Sequence, residues 1–485
     1  MKFEDDKQYT DLLPVWSQIR AAIRGKPGVV ELLTSDQGYF SVIAPNYRTN
    51  NSAELSKRKH DYFSRGRFTN FTGTTHDTYL GMISEKPIEI ELPDRLEGLK
   101  NNSDGANSTL QDFANNITSE VLITARSGIL VDPPTLTGGT IADANQALPK
   151  WIPYCAENIT HYVVDQDVLV QVVLSETYYE YDDGIYKLEA QQRVLSLRDG
   201  VYTSSIYRDG DQYGSTITPM VNGATLSYIP FQFIGSENNR PSFDRPVMFD
   251  LAHQNLGHFM LDCDNRDNLH YHGQGMTNVY TSMDNESFSE LNPSGMDVGA
   301  KGKNMFEQGD RVEILQIDAT GAIASEMLRD EQRMIMLGAQ VVQDKSSSKT
   351  LGGEVMEKNA ATSQLKRIAM NVSQGLTQCA IWSAEIMGVP DDSILVKVNN
   401  RFVTESMTFQ DVLAMFQMVQ GGAASLEELH EVKRKAGYTD KTNEELDDTL
   451  ENEADGESEV VAELRMQVDN LTSQLNSQLE NQPDE

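Results

Sequence analysis

Residues Val163–Arg208 read VVDQDVLVQVVLSETYYEYDDGIYKLEAQQRVLSLRDGVYTSSIYR, and Asp209-Gly210 follows. Three Asp-Gly pairs, Asp183-Gly184, Asp199-Gly200 and Asp209-Gly210, punctuate runs rich in β-branched and aromatic residues. Both residues of such a pair tolerate positive φ, so Asp-Gly between alternating runs signals a tight hairpin. The spacing predicts an antiparallel sheet over about 163–236, with Val163–Leu174, Tyr186–Leu197 and Val201–Arg208 as strands.

On both sides of this stretch the period changes from two to 3.6. Leu12, Trp16, Ile19 and Ile23 predict a helix over 10–24, stopped by Gly25. Further helices are expected near Ala53–Arg65 and Asp77–Ser84. Another spans 110–125, with Leu110, Phe113, Ile117 and Val121 on one face, Ser108 or Thr109 as cap and Gly128 just past the end. Ile129–Asp132 reads as a short strand. After Pro246, a helix over Phe249–Cys263 carries Ala252, Leu256, Phe259 and Cys263 along one stripe. Residues 273–321 are rich in Gly, Asn, Ser and Asp and hold only short strand-like runs, Thr277–Ser282 and Arg311–Ile317. A helix over Ile323–Val342, a loop Asp344–Gly353 (DKSSSKTLGG) and a long helix over roughly Ala360–Met387 follow. In the last, Leu365, Ile368, Val372, Leu376 and Cys379 recur at alternating three and four, and Gly388 and Pro390 end it. Ile394–Val398 reads as a strand and Phe409–Val419 as a helix. Ser425 and Glu428 stand at capping-box spacing. Strands segregated from helices in this way give an α+β chain.

The chain has 485 residues, about three domains' worth, with 73 acidic residues against 40 Lys and Arg, a net charge of −33. That excludes a protein that binds by coating phosphates with basic side chains. Three well-separated cysteines, Cys155, Cys263 and Cys379, give no disulfide framework. The N-terminus has no apolar core of a secretory signal, and no run is long and apolar enough to span a membrane. Asp440–Glu459 holds ten acidic residues and one Lys, a run that resists compact folding through its own repulsion. After it, Val461, Leu464, Val468, Leu471 and Leu475 make barely two heptads.

Catalytic motifs are missing. Gly299–Asn304 has the wrong glycine spacing for a phosphate loop, Gly273-Gln-Gly275 lacks a third glycine, and neither His-Glu-x-x-His nor Gly-x-Ser-x-Gly occurs. His253, His258, Cys263, His270 and His272 form the densest set of metal-ligand types. His253 and His258 are five apart, about 140° round a helix, which argues against convergence. The carboxylate pairs Asp165/Asp167, Asp209/Asp211 and Asp262/Asp264 are expected by chance in so acidic a chain. No cofactor, metal or catalytic residue is therefore assigned.

Several segments carry a resemblance: Asp11–Val29 (DLLPVWSQIRAAIRGKPGV), Asn70–Ile83 (NFTGTTHDTYLGMI), Lys86–Leu99 (KPIEIELPDRLEGL), Arg126–Pro133 (RSGILVDP) and Arg245–Gln274 (RPVMFDLAHQNLGHFMLDCDNRDNLHYHGQ). In this order, across roughly 10–435, they resemble a family of tailed-bacteriophage proteins long labelled only as a domain of unknown function and taken to be portal proteins. The resemblance implies a non-enzymatic ring of about twelve subunits at one capsid vertex. Double-stranded DNA is packaged and ejected through it, and terminase and then adaptor or tail proteins dock on it. Contacts with the major capsid protein, and with scaffolding or internal proteins, follow. So does a place in the virion, after assembly in the host bacterial cytoplasm, with no membrane partner. It implies a wing (1–245), stem helix (246–272), clip (273–321), return stem helix (322–343), tunnel loop (344–353), channel-bordering helix (354–388), wing return (389–408), crown (409–438) and acidic tail (439–485). Lys345 and Lys349 would then face the channel constriction. The competing readings are a phage enzyme, such as a maturation protease or metal-dependent nuclease, and another minor head protein.

Overall fold

In the computed structural model, helix α1 (Lys7–Ile23) opens the described chain, with the Asp6 side chain accepting from the Gln8 amide at its N-terminus. The residues described are 6–35, 52–134, 148–221, 223–272, 276–292, 309, 311–315, 321–338, 351–400, 402, 415–419, 425 and 428–429. Two units are distinguished, Met1–Phe402 and Val403–Glu485.

In the first unit, Gly25 does end α1, but it also starts α2 (Lys26–Thr34), a helix the apolar periodicity did not single out. Next come α3 (Ser52–Arg65) and α4 (Phe71–Ile83). The latter begins six residues before the expected Asp77, because the Asn70 side chain accepts from the Gly73 amide at 2.8 Å and caps an earlier turn. Strand β1 (Glu89–Glu91) and a short 3₁₀ turn lead to α5 (Leu110–Thr124). Thr109 caps α5 through the Asp112 amide, and Leu110, Phe113, Ile117 and Val121 are all buried. Its C-terminus is closed by Ala125 at φ +60°, not by Gly128. Gly128 lies inside β2 (Arg126–Asp132), where a Cβ would fall 2.3 Å from Phe231 Cζ, so its lack of a side chain admits the neighbouring strand's ring.

Then follow β3 (Lys150–Cys155), β4 (Ile159–Asp165), β5 (Val168–Asp182), β6 (Ile185–Arg198), β7 (Val201–Arg208) and β8 (Asp211–Ile217). The three Asp-Gly turns sit where the sequence places them, with Asp183, Asp199 and Asp209 at positive φ. Val163–Leu174 is not one strand. Gln166 and Asp167, both at positive φ, turn the chain between β4 and β5, a reversal made without glycine. The segment 163–236 also divides between sheets. Strands β4 to β8 form a five-stranded antiparallel meander. After the short pair β9 (Met220–Val221) and β10 (Ala224–Thr225), β11 (Phe231–Gly235) joins β2 and β3 in the order β11-β2-β3.

Helix α6 (Phe249–His272), strand β12 (Met276–Tyr280), the short helix α7 (Asn285–Leu291) and strand β13 (Arg311–Leu315) come next. The two strand-like runs of 273–321 thus pair with each other, Met276 opposite Leu315 and Tyr280 opposite Arg311, and α7 was not anticipated. Helix α8 (Ala322–Met336) ends near Gly338 (φ +128°), short of the expected Val342, and 339–350 lie outside the described residues. Helix α9 (Leu351–Met387) begins inside the expected loop, with Leu351–Gly353 already helical. Finally β14 (Leu395–Lys397) pairs with β1, and Lys397 reaches Glu89.

The core has two main parts that share β2. Ile129 and Val131 point to a large cluster built on α5 and the buried α9 stripe Leu365, Ile368, Val372, Leu376 and Cys379. Leu130, between them, points to a second cluster with Tyr154, Phe231, Phe233 and the inner face of the five-stranded sheet. Polar ties fix α9: the Trp151 indole donates to Ser383 at 2.9 Å, and Asn371 donates to the Gly235 carbonyl at 2.8 Å.

In the second unit, 415–419 are helical, and Ser425 and Glu428 form the anticipated capping box, each amide bonded to the other's side chain at 2.9 and 3.2 Å. The acidic run and short heptad lie outside the described residues.

Candidate functional site

Helix α6 owes its place to a buried stripe: Leu256, Phe259 and Cys263 pack among Val29, Leu32, Tyr62 and Phe63 of α2 and α3, and Ala252 joins the large cluster of α5 and α9. Gly66 lets the chain after α3 approach it closely, since a Cβ there would fall 2.3 Å from Cys263 Sγ. The polar side chains flanking the stripe tie α6 outward in several directions. Asn255 accepts from Thr72 and donates to the Thr69 carbonyl. Tyr62 donates to Asp264 at 2.7 Å, Arg65 to Asp267 at 2.6 Å, and the Arg67 amide and Arg266 both reach Asp262.

These ties hold the described members of the metal-ligand set apart, and the side chain of His272 lies outside the described residues. His253 meets Gln18 on α1, whereas buried His258 lies 3.3 Å from Glu331 on α8. Cys263 faces Gly66, and His270 is exposed. The carboxylate pairs fare likewise: Asp262 and Asp264 serve different partners, while Asp165/Asp167 and Asp209/Asp211 flank hairpin turns. Among the described residues one cluster does have metal-ligand types close together, Glu120, Cys155 and Glu157. Its cation is already present. Arg20 spans both carboxylates, at 2.7 Å to Glu120 and 2.5 Å to Glu157, so the cluster is a closed ionic knot. Burial alone would raise the Glu157 carboxyl, but the hydrogen bond and charge of Arg20 hold it below its ordinary value.

None of the three thiols is set up as a nucleophile. Burial pushes Cys155 up to about 11, Cys263 up to about 12, and Cys379 higher still. A second cation, Arg126, is buried and was invisible to motif reading. Its guanidinium lies 3.9 to 5.1 Å from the ring centres of Phe243, Phe233 and Tyr162 and donates to the Pro241 carbonyl. Burial brings it down to about 10. Only the cluster of aromatics around 228–243 in the sequence could have pointed to such a cage.

What remains as a functional feature is the arrangement of 249–336. Helices α6 and α8 pack together, His258 of the early half of one beside Glu331 of the late half of the other, and the β12–β13 ladder closes the chain between them. Lys345 and Lys349 lie outside the described residues, as do most of the residues of the loop that carries them.

Residues 247–387, which run from the start of α6 to the end of α9, match a family described as "Domain of unknown function (DUF4055)". Of the quoted segments that carry the resemblance, Arg245–Gln274 falls almost wholly in this match, and the other four lie outside it. No curated protein matches the chain. Among solved structures, a chain of "Virion of native gene transfer agent (GTA) particle" is similar at 9% identity and TM-score 0.40, covering 76% of this chain and 91% of its own. A chain of "Neck of empty GTA particle computed with C6 symmetry" gives 9% and 0.42, with 74% and 88% covered. One of "Neck of native GTA particle computed with C12 symmetry" gives 11% and 0.40, with 75% and 89%. No described helix is long and apolar enough to cross a membrane.

Proposed function

We propose that this chain is the portal subunit of a tailed bacteriophage, a conduit without catalytic activity of its own. About twelve copies form a ring at one capsid vertex, DNA is packaged and ejected through it, and terminase and then adaptor or tail proteins dock on it. The observation that carries the reading is the family match over 247–387 together with the layout of that stretch. An outgoing helix, a small strand ladder, a returning helix packed on the first and a long following helix suit a stem, clip, return stem and channel-bordering helix in turn. On this reading 1–245 and 389–408 form the wing, a division in keeping with the β1–β14 pairing, and 409–438 the crown.

The charge suits the task. A pore that passes DNA must not grip it, and an acidic wall repels phosphates and keeps the duplex away from the sides. In the tunnel loop, Lys345 and Lys349 offer weak, salt-sensitive phosphate contacts. The dispersed carboxylates, the closed Arg20 knot and the high-lying thiols favour this reading over a nuclease or protease.

Native mass spectrometry and axial class averages of the purified protein test the assignment. Closed rings of about twelve, with no Mg²⁺-dependent nuclease or ATPase activity, are expected; a monomer at every concentration would sink it. For the loop, Lys345→Glu/Lys349→Glu is expected to form rings but to lower DNA packaging or retention in complementation. Unchanged packaging and infectivity would remove the two lysines from the mechanism.

A further inference from the structure

The chain leaving α8 meets α4. Of residues 330–338 only Asp330 and Met334 are buried. Met334 is fully enclosed and joins the large cluster, in which Tyr79 and Ile83 of α4 also lie. One turn beyond Met334 stands Gly338, at φ +128°. The Tyr79 hydroxyl donates to the Gly338 carbonyl at 3.2 Å and has no other hydrogen-bond partner among the described residues. A Cβ on residue 338 would fall 2.7 Å from that hydroxyl, so glycine is required both for the backbone angle and for the close approach. Burial raises the Tyr79 phenol above its ordinary value, so it keeps its proton and remains a donor.

Helix α4 is itself held on several sides. Asn70, its cap, donates to the Ile23 carbonyl of α1 at 3.1 Å. His76 Nε2 lies 2.9 Å from Ser119 Oγ of α5, and the Asn399 amide donates to the Met82 carbonyl at 3.1 Å. Tyr79 falls between these last two ties, with its ring in the core. Its hydroxyl is therefore a fixed point, and Gly338 comes to it at the place where α8 has just ended. The Leu337 and Gly338 amides bond back to the Arg333 and Ile335 carbonyls and close that end.

We propose that Tyr79 is a positioning residue for the segment that carries Lys345 and Lys349: its hydroxyl holds Gly338 and so fixes the point from which that segment starts. The inference rests on the portal reading for the segment's task and adds the residue that sets its root. Lys345 and Lys349 come seven and eleven residues after Gly338, so the reach of each is counted from that anchor. A root that wanders spreads the two ammonium groups over a larger volume and lowers their effective concentration at a passing phosphate. An O–H···O contact of 3.2 Å is long, so the tie is weak. Its loss shows locally, at the end of α8, and not in global stability.

The test uses the full chain. Tyr79→Phe removes only the hydroxyl. Hydrogen exchange over 333–338, followed by mass spectrometry, is expected to quicken about threefold, with ring assembly and the unfolding midpoint as in wild type. In complementation, assembled heads are expected in normal number, with about twofold less packaged DNA in each. Gly338→Ala, which crowds the hydroxyl from the other side, is expected to quicken the same exchange. Unchanged exchange in both variants overturns the tie. Faster exchange with normal packaging in Tyr79→Phe overturns the positioning role and leaves the portal reading standing. A lowered midpoint, or rings lost only in Tyr79→Phe, makes Tyr79 a residue of fold or assembly and overturns the role as well. A wild type that forms no rings overturns the portal reading and the segment's task with it, while the exchange result still decides the tie.

Discussion

Strand β2 and the arm of β5–β6, which extends over 177–190 beyond the pairing with β4 and β7, are both antiparallel and both rich in large side chains, yet one is almost wholly buried and the other almost wholly exposed. Six of the seven residues of β2 are buried, because β3 and β11 flank it and separate apolar clusters cover its two faces. No described residue covers the outer face of the arm, and its inner face is held by ions and rings. Strand-forming character is therefore a poor guide to burial. What decides burial is which elements the rest of the chain brings to each face.

That contrast can be broken at three places. The largest effect is expected where β3 meets α9. Trp151→Ala removes a fully buried ring and its bond to Ser383, and should destabilise the chain by about 3–5 kcal/mol in chemical denaturation. A loss below about 1 kcal/mol would mean that the cluster around β2 is looser than its burial indicates. Next comes the hinge between sheet and arm, where Arg193 and Glu176 lie 2.7 Å apart and mostly shielded. Burial would raise the Glu176 carboxyl, but the hydrogen bond and charge of Arg193, with Tyr154 and Gln191, hold it below its ordinary 4.5. Its stabilisation is thus full above about pH 4.5 and disappears as pH falls through the lower folded value. Arg193→Met should cost about 2–3 kcal/mol at neutral pH, somewhat under the range for fully buried pairs. The deficit should shrink on acidification, as the stranded carboxyl takes up a proton. A pH-independent deficit would show that Arg193 acts by packing alone. The smallest effect belongs to the arm. Tyr181→Ser should change the stability of the isolated chain by less than about 0.5 kcal/mol in the same assay. A larger loss would place Tyr181 in the fold's own core rather than in solvent.

The hairpin turns were legible because Asp-Gly acts locally: the backbone needs positive φ and these residues supply it. The stripes of α1, α5, α6 and α9 were legible because burial on one helical face leaves a 3.6-residue period. Legibility failed where a distant partner decides. Gln166-Asp167 turns the chain without glycine, between strands whose pairing enforces the reversal. Asn70 starts α4 early because its side chain is free to cap, which apolar periodicity does not register. The separation of β11 from the meander follows from its pairing with β2, a hundred residues earlier.

The candidate site divides in the same way. The sequence by itself determined the acidic charge, the lack of a catalytic motif, the order of helices and hairpins, and the family resemblance, all of which are composition or short-range pattern. Only the tertiary structure decided that His253, His258 and Cys263 face apart, that Arg20 closes Glu120 and Glu157 into one knot, and that aromatic rings enclose Arg126. It also decided that the arm's tyrosines stand in solvent while the equally apolar β2 does not. The reason is physical: a side chain's type is written in the chain, but its partners come from elements scores of residues away, and only folding brings them within the few ångströms at which hydrogen bonds and packing act.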